Sequence, residues 1–138
     1  HVVMGAKVAE EAPPEPRDVY FEEHPGEVWV HGRWARQDDQ WVWQQGWYEP
    51  ERDGFVYCNG QWEKKKGQWV WTDGSWEEER PGFVYLPGYW GERNDTYVWI
   101  QGRWEKAHPT EVFIKGAWSI EDGEPHWTEG RWEPIASR

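Results

Sequence analysis

The hydrophobic residues of the chain recur with a period of 14 positions, without insertion or deletion. Each period places a valine before an aromatic residue and a second aromatic five positions after the first, with a glycine between the two. This motif, valine-aromatic-x-x-glycine-x-aromatic, occurs eight times between residues 27 and 132, and only His126 replaces the valine. Eight copies in register predict a repeat protein, in which each unit buries its apolar side chains against its neighbours.

The motif supplies two sets of residues. The first is a structural row of sixteen aromatics: Trp29, Trp34, Trp43, Tyr48, Tyr57, Trp62, Trp71, Trp76, Tyr85, Trp90, Trp99, Trp104, Phe113, Trp118, Trp127 and Trp132. The second is a set of eight glycines, interpreted as turn glycines: Gly32, Gly46, Gly60, Gly74, Gly88, Gly102, Gly116 and Gly130. A glycine kept in every unit is typical of a backbone position with φ > 0, and Asn-Gly and Asp-Gly pairs favour two-residue hairpin turns. Such a turn would place Trp29 opposite Trp34.

A second turn signal lies seven residues before each of these glycines. All eight positions hold turn-forming residues: Pro25, Asp39, Asp53, Gly67, Pro81, Asp95, Pro109 and Gly123. Each repeat therefore divides into two short strands, and a turn at residues 38–39 would place Trp34 opposite Trp43. The same pairing scheme continues with Tyr48 opposite Tyr57, so that the aromatics form one continuous row on one face of the sheet.

These patterns predict an all-β fold, an antiparallel β meander of eight 14-residue repeats. In one topology about sixteen short strands form a zigzag of hairpins with the glycines in turns. In the alternative, eight longer strands carry the glycines as mid-strand irregularities and could close as a barrel. No stretch has the 3.6-residue period of a helix.

The chain divides into an N-terminal arm, residues 1–24, and a repeat domain, residues 25–138. The arm is rich in proline and glutamate, which favours an extended conformation. Val2 and Val3, and the segment from Val19 to Phe21, could each add a strand. The arm is expected to pack on its own sheet or to add a strand to a neighbouring subunit.

Composition excludes several classes of partner. The chain has 138 residues with 26 acidic and 15 basic side chains, a formal net charge of -11. This charge argues against a nucleic-acid-binding face and against a polybasic membrane-surface segment. The sequence has no run of 18 apolar residues, so no membrane span is predicted. Few aliphatic residues would normally indicate disorder, but 15 Trp and 6 Tyr provide enough apolar surface for a core.

No pattern of catalytic or ligand-binding residues is present in the sequence. The five histidines form no HxH or HxxxH pair, and no GxSxG, Walker or GxGxxG motif occurs. Carboxylates cluster in predicted loops, where they are expected to be solvated. We therefore predict no catalytic residue, no cofactor-binding or metal site, and no enzymatic activity. The single cysteine, Cys58, allows no internal disulfide.

The aromatic row could be a hydrophobic core or a platform on which sugar rings stack. Trp47 and Tyr89 lie off the row and are the candidate exposed aromatics. Two functions follow. The first is a structural protein that assembles with itself, head to tail, into a fibre or surface matrix through sheet edges and the N-terminal arm. The alternative is a monomeric cell-envelope module that binds polysaccharide through exposed aromatic side chains.

The eight copies of the motif resemble a known family, and the matching segments include residues 25–34 (PGEVWVHGRW) and 82–90 (GFVYLPGYW), with the proline-rich lead-in at residues 12–17. They are similar to the bacterial WXXGXW, or YXWGXW, repeat family. The resemblance covers most of the chain. It implies a secreted, periplasmic or outer-envelope protein of a Gram-negative bacterium, and it implies no particular reaction.

Overall fold

The computed structural model describes residues 5–136, which form β-strands joined by turns and extended segments. The strands of the first half are β1 (Val8–Ala9), β2 (Glu27–Val30), β3 (Arg33–Gln37), β4 (Gln40–Gln44), β5 (Trp47–Pro50), β6 (Phe55–Cys58), β7 (Gln61–Lys65), β8 (Gln68–Thr72) and β9 (Ser75–Glu78). Those of the second half are β10 (Phe83–Leu86), β11 (Tyr89–Arg93), β12 (Thr96–Ile100), β13 (Arg103–Lys106), β14 (Glu111–Ile114), β15 (Ala117–Glu121), β16 (Glu124–Thr128) and β17 (Arg131–Pro134). The predicted all-β repeat fold is confirmed. Within this range no helix is long and apolar enough to cross a membrane.

Two consecutive repeats form one long antiparallel hairpin. In the first hairpin, residues 27–50, β3 pairs with β4 near the tip and β2 pairs with β5 near the base. We call these the tip ladder and the base ladder. The three other hairpins, residues 55–78, 83–106 and 111–134, repeat the same arrangement. The structural unit is therefore a pair of sequence repeats.

Each hairpin tip is a two-residue turn in which both central residues have positive φ. Asp38 and Asp39 have φ of 50° and 60°, and Lys66 and Gly67 have 51° and 82°. This is the type I′ geometry, whose twist matches that of the flanking strands. It places Trp34 opposite Trp43, as predicted.

A β-turn precedes each hairpin at its base and leads into it from the arm or from the preceding hairpin. In the second of these the N–H of Phe55 donates to the carbonyl of Arg52 at 3.0 Å, and Gly54 has a φ of 82°. Asp53 and Gly54 thus occupy the central positions of a type II turn, the second of which favours glycine. All eight turn positions read from the sequence lie in turns, four at tips and four at bases.

The assignment of the repeat glycines to turns is wrong. Each lies at the break between a base strand and a tip strand, and none has a φ in the left-handed region. Trp29 consequently faces Tyr48 instead of Trp34, and Tyr57 faces Trp76 instead of Tyr48. The first predicted topology is right about the sixteen short repeat strands. The alternative topology is right that the glycines interrupt the long arms of a hairpin and do not form turns.

Close contact with an aromatic ring explains these glycines. A Cβ atom at Gly32 would lie 2.5 Å from Cζ2 of Trp43, and one at Gly60 would lie 2.6 Å from Cζ2 of Trp71. The glycine of one repeat is covered by the first aromatic of the other repeat in the same hairpin. The eight glycines therefore provide space for aromatic rings.

All sixteen predicted row aromatics form cross-strand pairs, although they do not form one continuous sheet. The pairs are Trp29–Tyr48, Trp34–Trp43, Tyr57–Trp76, Trp62–Trp71, Tyr85–Trp104, Trp90–Trp99, Phe113–Trp132 and Trp118–Trp127. The four described hairpins share no backbone ladder with one another, and their pairings form no closed circuit. Side chains must therefore hold the hairpins together.

The N-terminal arm packs against its own chain. Its strand β1 pairs with β8, with Val8 opposite Val70, and Ala6 forms a bridge with Arg36. Lys7 also pairs with Asp73, and this hydrogen bond is the largest cause that lowers the pKa of Asp73. The possible strand at Val2 and Val3 lies outside the described residues.

The segment from Val19 to Phe21 forms no strand. Its rings instead pack on two hairpins. Tyr20 meets Trp118 edge to face at 5.9 Å, and Phe21 stacks on Trp29 at 5.4 Å. The predicted extra strand is therefore wrong at this position, because aromatic packing replaces backbone pairing.

The aromatic side chains remain partly exposed. Among the described residues the buried hydrophobic ones are Ala9, Val30, Ala35 and Leu86, and no large side chain is fully buried. The chain exposes 9595 Å², whereas a compact protein of this mass would expose about 7,600 Å². The hairpins and the extended arm therefore bury less surface than a compact core of this size would.

Candidate functional site

One open concavity, which we call the large groove, lies between the four hairpins and the arm. Its volume is about 790 Å³. Ten aromatic side chains line it, together with seven carboxylates and four basic side chains. Aromatic rings and hydrogen-bonding groups from every hairpin therefore meet in one open groove.

A second concavity of about 640 Å³ lies between hairpins 1, 2 and 3 and the arm. We call it the proline groove, because arm residues 13–16 form part of its wall. Nine aromatic side chains line it. The guanidinium carbon of Arg33 lies 3.7 Å from the centroid of the Trp71 ring. Burial lowers the pKa of Arg33, although nearby Asp73 opposes this effect.

His31 lies between the two grooves and contributes to the lining of both. Its ring meets Phe21 edge to face at 5.4 Å and Trp99 at 5.2 Å. Its backbone N–H donates to Oδ1 of Asn59 at 2.8 Å. Burial lowers the pKa of His31 to about 3, so the imidazole is neutral at physiological pH.

Indole N–H groups connect successive hairpins. Trp62 Nε1 donates to the carbonyl of Trp34 at 2.8 Å, across hairpins 2 and 1. At the bases, the indole of Trp104 donates to Glu77 at 3.4 Å. The indole of Trp132 donates in the same way to Glu105 at 3.1 Å. The two base bonds join equivalent positions of hairpins 2 and 3 and of hairpins 3 and 4.

The arm provides backbone carbonyl acceptors for the equivalent aromatic residues of the first hairpin. Trp34 Nε1 donates to the carbonyl of Glu15 at 2.9 Å, and the hydroxyl of Tyr48 donates to the carbonyl of Glu22 at 2.7 Å. The arm also reaches hairpin 4, where Glu23 pairs with Lys115 at 3.5 Å. It therefore caps the first hairpin and links it to the last.

A ring-stacking contact that the sequence analysis missed closes each hairpin base. Each base turn is followed by a hairpin. The first residue of the turn stacks on an aromatic ring in the last strand of that hairpin. The four contacts are His24–Tyr48 at 3.8 Å, Arg52–Trp76 at 4.7 Å, Arg80–Trp104 at 4.7 Å and His108–Trp132 at 3.5 Å. The recurrence of His or Arg once per hairpin, at positions 24, 52, 80 and 108, is the sequence signal for these stacks.

Two buried indole N–H groups, those of Trp99 and Trp127, have no hydrogen-bond partner among the described residues. The equivalent indole of Trp71 donates to the carboxylate two residues later, at Asp73. For Trp127 that carboxylate, Glu129, instead accepts from the hydroxyl of Tyr89 at 2.8 Å. The large groove thus has an unsatisfied donor in its wall.

The prediction that Trp47 and Tyr89 are exposed is wrong. Both are half-buried: Trp47 Nε1 donates to Glu49 at 2.9 Å, and Tyr89 stacks on Trp127 at 5.3 Å. The exposed aromatics in the described chain are Phe55 and Phe83, at 40% and 46% exposure. Each begins a base strand directly after a base turn.

Cys58 is a free, half-buried thiol. Burial raises its pKa, which makes the thiol less reactive, and it lies within hydrogen-bonding reach of Tyr85. Residues 5–136 contain no group of three or more His, Cys, Asp or Glu side chains arranged to hold a metal ion.

Comparison with known proteins identifies the repeat. The family model described as the WXXGXW repeat, in two copies, matches residues 26–46, 52–77, 80–105 and 112–133. Each match falls largely within one hairpin, so the two copies of the model correspond to its two repeats. No curated protein and no solved structure matches the chain. The matches cover well over half of the sequence, and the chain therefore belongs to the WXXGXW repeat family.

Proposed function

We propose that the protein is a non-enzymatic module, secreted or associated with the cell envelope, that binds a neutral or amino-sugar polysaccharide in the large groove. The observation that carries this proposal is the meeting of ten aromatic side chains with charged hydrogen-bonding groups in one open groove. Its volume of about 790 Å³ lies in the usual range of ligand sites.

Sugars combine two kinds of surface, and the groove offers a partner for each. The axial C–H groups of a pyranose form an apolar face that stacks on aromatic rings, whereas its hydroxyls need hydrogen-bonding partners. Half-buried rings such as Tyr57 and Trp76 keep part of their surface accessible. Carboxylates and guanidinium groups in the same groove can accept from and donate to hydroxyls.

The charge of the groove selects among sugars. Seven carboxylates oppose four basic side chains in its lining, and the whole chain has a net charge of -11. Repulsion disfavours uronic-acid polymers, whereas neutral and amino sugars meet no such penalty. Neutral and amino-sugar polysaccharides are therefore the proposed ligand class.

A matched pair of variants tests the proposal. Phe55 and Phe83 occupy equivalent positions in hairpins 2 and 3 and are similarly exposed, but only Phe55 lines the groove. We expect cello- or chito-oligosaccharides to bind in a calorimetric titration and an oligogalacturonate to bind at least tenfold more weakly. Phe55→Ala should weaken binding about fivefold or more, and Phe83→Ala should leave it unchanged. Absence of binding, or equal effects of the two substitutions, would contradict the proposal.

A second candidate function is assembly of the protein with itself into an extracellular fibre or matrix. The three most exposed large hydrophobic side chains of the described chain all belong to the last hairpin or directly follow it. They are Val112, Ile120 and Ile135, at 48%, 53% and 58% exposure. Val112 and Ile135 lie at the base of this hairpin and Ile120 lies next to its tip, so the hairpin offers apolar side chains at both ends for a contact with another copy. Strand β1 of the arm pairs with β8 of the same chain. Support for assembly therefore comes from the exposed apolar side chains of hairpin 4 and not from strand addition by the arm.

Sedimentation velocity and negative-stain microscopy separate the two functions. For assembly we expect concentration-dependent growth that Ile120→Ser together with Ile135→Ser abolishes, while Val42→Ser, at a residue 38% exposed in hairpin 1, does not. A monomer at high concentration would exclude the assembly function.

A further inference from the structure

Arm residues 13–16 form one wall of the proline groove, and neighbouring hairpin residues bind this segment: Trp34 and Tyr97 through Glu15, and Arg36 through Glu11. We propose that the hairpin surface under this segment is a binding site for extended proline-rich peptides of the pattern Pro-x-x-Pro-Arg, and that the arm is such a ligand bound in cis. The site is separate from the proposed polysaccharide function, because it uses another groove and another class of ligand.

The conformation of the arm is that of a polyproline ligand. Three of the four residues 13–16 are proline, whose ring restricts φ to the polyproline range, and the segment forms no strand or turn. A polyproline II helix has three residues per turn, so residues three apart lie on the same side. Pro13 and Pro16 are half-buried, whereas Pro14 and Glu15 between them are exposed. Pro13 and Pro16 are therefore the prolines with the larger buried surface, although Pro14 and Glu15 also border the groove.

The groove recognises the backbone of this segment with an indole. Trp34 Nε1 donates to the carbonyl of Glu15 at 2.9 Å. A polyproline II backbone makes no internal hydrogen bonds, so its carbonyls are available to such donors. Aromatic walls that pack on proline rings, combined with a tryptophan N–H directed at a carbonyl, are a general means of binding polyproline segments.

Side-chain contacts at both ends of the segment determine its direction and sequence. The guanidinium of Arg17 lies over the Trp34 ring, 5.5 Å from its centroid. The carboxylate of Glu15 accepts from the backbone N–H of Tyr97 at 3.2 Å, and that of Glu11 pairs with Arg36 at 2.8 Å. A reversed peptide would separate these charges from their partners. The site therefore selects proline-rich segments with a following arginine and a central acidic residue.

The experiment uses the full chain and a fluorescent peptide with the sequence of residues 10–18. In the wild type the tethered arm competes at an effective concentration in the millimolar range. Pro13→Ala together with Pro16→Ala should weaken the tethered arm, so the peptide should bind this variant at least tenfold more tightly than the wild type. Pro14→Ala, at the more exposed proline, should change the affinity for the peptide much less than the double substitution does. A peptide with alanine at positions 13 and 16 should not bind.

Fluorescence anisotropy measures this binding, and NMR locates it through the indole N–H resonance of Trp34, which should shift when the peptide binds. Failure of the peptide to bind a double variant with a wild-type far-UV spectrum would overturn the proposal, as would equal effects of the Pro14 and the Pro13/Pro16 substitutions. In the wild type, hydrogen exchange at the Trp34 indole should be slow. Exchange as fast as that of a solvated indole would overturn the proposal even if the double variant does not fold.

Discussion

The indole ring of Trp99 lies directly on the backbone of Gly88, so close that a Cβ at residue 88 would stand 2.6 Å from Cζ2 of the ring. The relationship is reciprocal within the hairpin, because the ring of Tyr85 covers Gly102 in the same way. In each hairpin, the glycine of one repeat leaves space for an aromatic ring of the other repeat, and the same holds in the opposite direction. A single repeat lacks the partner that it needs, which explains why the structural unit is a pair of repeats.

Gly88→Ala is expected to destabilise the protein by about 1–3 kcal/mol, because the methyl group must displace the Trp99 ring. The free energy of unfolding in urea, followed by tryptophan fluorescence, measures this loss. Lys65→Ala, at an exposed strand residue, should change stability by no more than about 0.5 kcal/mol. Similar unfolding midpoints for the two variants would show that the ring contact is unimportant.

Lys66→Asn is expected to stabilise the protein by about 0.5–1 kcal/mol, because asparagine tolerates the left-handed region better than a long side chain does. Lys66 has a φ of 51° at the tip of hairpin 2. Lys64→Asn lies in β7 and should be neutral or destabilising. Thermal unfolding monitored by circular dichroism would reveal the difference, and a lower midpoint for Lys66→Asn would contradict the turn geometry.

His31 is expected to make stability depend on pH. Its pKa is about 3 in the folded protein against an ordinary value of 6.5, so the unfolded chain binds the proton more strongly. Stability is therefore complete above the ordinary pKa and falls as the pH decreases from there towards the folded-state pKa, by up to about 1.4 kcal/mol per pH unit. His31→Gln should flatten this dependence, whereas His126→Gln, at an exposed residue, should not. Parallel profiles for the wild type and His31→Gln would rule out this role.

Phe21→Ala is expected to destabilise the repeat domain by about 2–3 kcal/mol, although Phe21 belongs to the arm. The ring stacks on Trp29 and contacts His31, so its loss opens a cavity where the arm meets hairpin 1. Phe83→Ala, at an exposed ring, is the control and should cost less than about 1 kcal/mol. Chemical denaturation of the full chain measures both. Equal losses would indicate that the arm does not hold the hairpins together.

The same contacts change the expectation for an arm deletion. In a sheet that was self-sufficient, removal of residues 1–24 would leave a folded monomer. The arm instead contacts all four hairpins, through Arg36, Val70, Tyr97 and Trp118 among others. We therefore expect the truncated chain to unfold at a much lower temperature than the full chain. An unchanged unfolding midpoint would contradict the role of the arm as a cap.

The sequence by itself determined the strands, the turns and the pairs nearest to each tip. A two-residue turn with positive φ leaves one register for its strands, so Trp34 must face Trp43. The alternation of aromatic and polar residues then assigns the faces. These are local constraints, and residues close to one another in the chain contain all the information that they need.

Tertiary structure decided the role of the repeat glycines and the positions of the exposed rings. A glycine required by positive φ and a glycine required by a close contact look the same in a sequence, and the ring that covers Gly46 belongs to Trp29 in the preceding repeat. Contacts between hairpins involve single indole N–H groups and stacked rings with no backbone ladder. Such contacts depend on how whole hairpins pack against each other and against the arm, so they determine which aromatics remain in the grooves.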